Sequence, residues 1–258
     1  VGDLILSTAG GTPSSTTYVD TMLLKGDDYY NDHHYRGYCY EGDAIGQERE
    51  VSDWTLTDVA NTLTFAPAFS PTIASGDEFE LHRIFSADEY LKAINLAIEF
   101  MAGKYLVDIK VESGDTDVIT LVADTYEYDL PLSMLYLYRV TTEDEVDGGE
   151  FYESGVIDPR DWSIMKAVTP QLKLHKGRYS ITADKDLRLE GQGSQPIVVD
   201  DTDVIYLPPD WVVAKAITML PWNKIQSNKL DGVYARAMVA SAKEPRNWPN
   251  PRAQRAVE

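Results

Sequence analysis

The sequence predicts an α+β chain in which a small N-terminal β sandwich or barrel module precedes a helix-based domain with a β-rich insertion between its helices. Three observations carry this. Residues 1–83 are short β-prone runs between turn clusters, with no window of helical period. At Ser86 the apolar spacing switches to three and four. After Pro208 and Pro209 helical spacing resumes and is interrupted by Pro221.

In chain order, strands are expected over 16–24, 35–41, 48–54, 62–65 and 78–84, separated by Gly26-Asp27-Asp28, Gly42-Asp43 with Gly46, the 58–61 turn and the 67–76 loop. Ser86-Ala87-Asp88-Glu89 is a capping box: the Ser86 hydroxyl can accept from the amide three residues on, and Glu89 can reach back. Leu91, Ile94, Ile98, Met101 and Tyr105 then fall on one face of a helix running to about residue 107. Strands follow over 118–122, 126–130, 134–140, 171–176, 178–182 and 187–190, with Asp158 to Trp162 read as a turn entering a short helix. Helices are expected over 211–220 and 224–243. Beyond Pro245 the run through Trp248, Pro249 and Pro251 has little helical promise and reads as an extended tail. The expected parts are therefore 1–84, 85–245 and 246–258.

The charge distribution is uneven. Residues 1–83 carry 14 acids against 4 bases and residues 84–209 carry 24 against 11, whereas residues 210–258 carry 4 against 8. An acidic body with a basic C-terminal end suits ordered assembly against an oppositely charged partner, and equally a merely solubilising surface. A net charge of −19 argues against a nucleic-acid coat. No apolar run approaches the roughly 20 residues of a membrane span, and residues 1–9 lack the features of a secretory leader. One cysteine, Cys39, excludes an intrachain disulfide.

The densest polar and aromatic cluster, Tyr29 to Tyr40, contains His33, His34 and Cys39. Adjacent histidines on a strand point to opposite faces, so no metal is predicted there. A tyrosine-rich hairpin around a turn remains, either as packing or as a contact surface able to stack on sugars. Asp144, Asp147 and Glu150 lack calcium-loop spacing. Gly191-Gln192-Gly193 follows a strand without entering a helix, and His82 and His175 stand alone. No nucleophile, phosphate-loop or zinc motif is present, so no catalytic residue and no cofactor is expected.

Two stretches carry a resemblance. Gly46-Gln47-Glu48-Arg49-Glu50-Val51, then Leu63 to Phe69, then Gly76-Asp77-Glu78-Phe79-Glu80-Leu81, resemble a small β module that recurs in tailed-bacteriophage virion proteins. The helix from Ser86, the 126–131 segment, Leu187-Arg188-Leu189-Glu190-Gly191, and Leu207-Pro208-Pro209-Asp210-Trp211 running into closing helices are similar to head-to-tail adaptor (connector) proteins of those phages, over roughly residues 84–258. The resemblance implies a non-enzymatic virion neck subunit, made in the host bacterial cytoplasm. It would form a ring of its own copies docked on the portal protein and carry tail or nozzle proteins. The positions implied are Arg246, Trp248, Arg252 and Arg255 for portal contact, and Leu91, Ile94, Ile98, Met101 and Tyr105 for contact between subunits. An acidic wall would let packaged DNA pass without specific binding. The alternative is a receptor-binding or tail-tip protein that grips a cell-surface glycan through the tyrosine-rich hairpin. On the adaptor reading, removing 246–258 is expected to abolish docking and leave the fold intact.

Overall fold

Runs that alternate apolar and polar residues become strands, and strands outweigh helices in this mixed α and β fold. The computed structural model describes residues 4–57, 61–146, 148–166, 169–200 and 202–256. The chain forms two compact units, Val1–Ala97 with Val198–Ile205 and Asp210–Lys243, and Ile98–Ile197 with Tyr206–Pro209 and Glu244–Glu258. The sequence boundary at 84/85 thus divides two hydrophobic cores within the first unit, and the units themselves part at residue 97.

In the first unit the strands are β1 (Ile5–Thr8), β2 (Thr17–Val19), β3 (Arg36–Glu41), β4 (Glu48–Leu56), β5 (Asn61–Ala66) and β6 (Glu78–His82), with a short helix α1 (Tyr29–Asp32) before β3. They pair antiparallel in the order β1-β6-β3-β4-β5-β2 as a curled half-barrel sheet, and just past β1 an isolated bridge joins Gly10 to Val19 of β2 with N···O distances of 2.8 and 3.2 Å. Sequence reading missed β1, whose four residues pair with a strand some seventy residues away. A buried polar chain holds this seam. The Tyr18 hydroxyl donates to Ser7 Oγ at 2.9 Å, and Ser7 donates to Asp20 Oδ2 at 2.6 Å. Asp20 also accepts the Thr8 and Met22 amides. Burial pushes the Tyr18 hydroxyl far above its ordinary pKa, so it stays a donor. Inside, Tyr18 stacks on Phe79 at 4.8 Å and on Phe65 at 5.5 Å.

The capping box forms as read. Ser86 N–H donates to Glu89 Oε2 (3.0 Å), Glu89 N–H donates to Ser86 Oγ (3.2 Å), and the barrel residue Glu48 accepts the Ala87 amide at 3.3 Å. They open α2 (Ala87–Phe100). It stops well short of residue 107 because Gly103 turns the chain at φ 71° and Leu106 starts a strand. The closing helices are α3 (Pro209–Met219), α4 (Trp222–Ser227) and α5 (Asp231–Ser241). The single helix expected over 224–243 is broken in two where Lys229 takes φ 55°. Phe85, Ala93, Ala97, Ala216, Leu220 and Ile225 make the helical core, and Lys224 Nζ donates to Glu89 Oε2 at 2.7 Å.

The second unit contains β7 (Leu106–Val111), β8 (Ile119–Thr120), β9 (Glu127–Asp129), β10 (Met134–Thr142), β11 (Trp162–Met165), β12 (Gln171–Leu174), β13 (Asp186–Ser194) and β14 (Gln254–Arg255). One sheet runs β14-β10-β13-β7 with β8 also on β13, and the other runs β11-β12-β9. Met134, Leu137, Val140, Leu187 and Leu189 from the first share a core with Trp162, Leu172 and Leu174 from the second. Trp162 therefore begins a strand and not the short helix expected, because its indole is needed between the sheets, and residues 178–182 form no strand. Gly191 and Gly193 lie within β13 itself. A Cβ there would come within 2.1 Å of the Tyr136 carbonyl oxygen and 1.9 Å of the Ser133 carbonyl oxygen, so bulged β10 can approach only bare backbone.

Glu89 on α2 is held by the Ser86 amide and by Lys224 of α4. Burial alone would raise its pKa, but the Lys224 ammonium and the Ser86 amide outweigh burial and hold it below the ordinary value. Its stabilising contribution is therefore present above the unfolded pKa of about 4.3 and lost as pH falls through the lower folded value. Glu89→Gln should lower stability at pH 7 by about 1–2 kcal/mol. The deficit should shrink progressively as pH falls below about 4.3 and the folded carboxylate takes up its proton; urea denaturation across an acidic pH series checks this, and a deficit independent of pH contradicts it.

Candidate functional site

Residues 244–256 are mostly irregular, with a turn at 251–252, and hydrogen bonds tie them to the rest of the second unit. Asn247 Nδ2 donates to the Leu106 carbonyl at 2.8 Å, and the Asn250 amide donates to Gln192 Oε1 at 2.8 Å. Gln192, 7% exposed, is itself fixed by donating to Asp108. Farther on, β14 pairs Arg255 with Tyr136 and Gln254 with Leu137, and Ala256 sits at 1% exposure in the core of the unit.

Between the two asparagine anchors Trp248 stands 76% exposed, and Arg246, Arg252 and Arg255 are exposed as well. The segment is a strap that presents one indole and three guanidinium groups from a fixed backbone. Such a combination is the composition of interface anchors, because Trp and Arg contribute large contact area and directional donors.

The face expected for subunit contact divides. Ile98 and Met101 are 2% and 1% exposed and serve the chain's own packing, which corrects their assignment to a neighbouring copy. Leu91, Ile94 and Tyr105 are half-buried, with Ile94 against the helical core. Helical spacing marks a covered face without saying what covers it.

The tyrosine cluster is mostly barrel interior. Residues 29–32 form helix α1, Tyr30 and Tyr35 are buried, and Tyr30 packs edge-on against Trp54 at 5.0 Å. Burial pushes the Cys39 thiol up to about 11. The Tyr40 hydroxyl, raised to about 12 by its hydrogen bond to Glu78, is committed to that partner. His33 stacks on Tyr29 and bonds its carbonyl, while His34 sits at φ 55°. Glu150 N–H donates to Asp144 Oδ1 at 2.7 Å, closing the acidic loop on itself; Asp147 lies outside the described residues. Among the described residues no three His, Cys, Asp or Glu side chains are placed to hold a metal.

One arrangement escaped sequence reading. Ser163 Oγ lies 3.0 Å from His175 Nε2, and His175 Nδ1 lies 3.0 Å from the Arg160 carbonyl. A proton on Nδ1 donated to that carbonyl leaves Nε2 to accept from the serine, which is the geometry of a nucleophile and its base. It also fastens β11 to the end of β12. The lone His175 beside a strand was its only trace in the sequence.

No known protein family, no curated protein and no solved structure matches this chain.

The strap makes a stability prediction that reverses the one drawn from sequence. Truncation after Pro245 should destabilise the second unit by about 2–4 kcal/mol, since it removes a sheet edge and a core residue. Trp248→Ala should shift stability by less than about 0.5 kcal/mol. Denaturant titration of both variants checks this; an unaffected truncation would show that the strap is not part of the fold.

Proposed function

We propose that this chain is a structural subunit of the neck of a tailed bacteriophage, a head-to-tail adaptor that forms a ring on the portal and connects the DNA-filled head to the tail. The two motif stretches support the reading, and the strap is the observation that carries it. In a chain with a net charge of −19, a basic segment anchored by hydrogen bonds and bearing an exposed tryptophan is the feature best suited to dock on a second protein. On this reading the helix-based part is an adaptor domain, and the half-barrel faces outward or toward tail or nozzle proteins. The acidic body lines a path that DNA passes without sticking. The chain acts by assembly and not by turnover. No described helix is long and apolar enough to cross a membrane.

Substituting Arg246→Glu, Trp248→Ala and Arg252→Glu together should reduce incorporation into portal-bearing heads about tenfold or more, while the denaturation midpoint stays put. Normal incorporation of the triple variant would remove the strap from the docking account. The Ser163–His175 pair favours a second reading, a virion-associated hydrolase, for which fluorophosphonate labelling of Ser163 in the folded chain is the decisive sign.

A further inference from the structure

Within the first unit a cleft of about 820 Å³ opens between the outer surface of the half-barrel, the first turns of α2 and the rim formed by Val198, Val199, Asp200 and Thr202. Its volume falls in the range of about 300–1,000 Å³ typical of ligand clefts. The rim is built into the fold. The Asn95 side chain both donates to the Val198 carbonyl and accepts its amide, each at 2.8 Å. Asp203 accepts the amides of Val199 and Asp200 at 2.7 and 3.0 Å.

Each wall carries the same two chemistries. The barrel side offers Leu4 and Ile45 with Glu48 and Glu80, the helix offers Leu91 and Ile94 with Asp88, and the rim offers Val198 and Val199 with Asp200. Among the described lining residues there is no lysine or arginine. Leu4, Ile45 and Val199 are 52%, 53% and 66% exposed, so aliphatic surface stands in water around one cleft. His82 lies buried at the barrel side, 3.3 Å from Glu80.

Four carboxylates repel a phosphate or any other anion. Apolar groups on every wall go unused by a small, wholly hydrated cation, and a ligand that meets all three walls must be extended. We propose that this cleft binds a peptide segment of a protein partner, one that carries lysine or arginine flanked by aliphatic or aromatic residues. The assignment stands apart from the neck reading, since it uses none of the strap residues.

A random heptapeptide display library, selected on the full chain, should enrich sequences that hold a basic residue between apolar ones. The best enriched peptide, made synthetically, should lose affinity about tenfold or more for the Glu80→Gln/Asp88→Asn double variant and for Val199→Asp. Val239→Asp, on α5, should bind as the parent does, and circular dichroism should show all variants folded. The proposal is overturned if no basic-apolar motif is enriched, or if binding is indifferent to the cleft variants. Full displacement of the peptide by millimolar spermidine would overturn it in favour of a small amine. Sedimentation showing self-association that the cleft variants abolish would overturn it in favour of a second copy.

Discussion

The first unit depends on how one helix begins. The chain leaves β6 at His82 and is helical by Ala87, so the amides at the start of α2 need acceptors at once. Ser86 and Glu89 supply two reciprocally, and Glu48 of β4 supplies a third, which ties the helix start to the barrel. Lys224 then closes on Glu89 and brings α4 in from the far end of the sequence. A single carboxylate therefore serves as cap, ion-pair partner and joint between segments 135 residues apart. The cleft lies beside this joint and takes its geometry from it.

The second unit rests on a different constraint, the close approach of β10 to β13. Two glycines permit that approach, and the buried Gln192 between them anchors Asn250 of the strap. The C-terminal residues complete the sheet edge and contribute Ala256 to the core. Basic charge that looked like a free arm is thus held on a scaffold, which lowers the ordering cost of docking. On the proposed neck reading, a partner would meet Trp248 already positioned.

Much of the local structure was legible in the sequence. The capping box at Ser86 specified its own hydrogen bonds, and five barrel strands follow from alternation and turn residues. What stayed hidden was set by long-range pairing. β1 is too short to show a period, and Trp162 becomes strand only because the facing sheet needs an indole. The end of α2 is decided by the demand of β7 for Leu106. The site residues divide on the same ground. Exposure of Arg246, Trp248 and Arg252 follows from anchors at Leu106 and Gln192, which composition cannot reveal. The burial of Ile98 and Met101 could not be distinguished from an intersubunit face, because helical spacing records only that a face is covered. Ser163 and His175 meet across a strand pair that the sequence had not placed.

The central claim is that this chain sits where head meets tail. Symmetry-resolved electron microscopy of intact particles carrying it, covering both the neck and the distal tail, tests that most directly. The account predicts density for the chain as a ring at the portal with Trp248 at the contact. Density at the tail tip or fibres, or no ordered position in the particle, would contradict it.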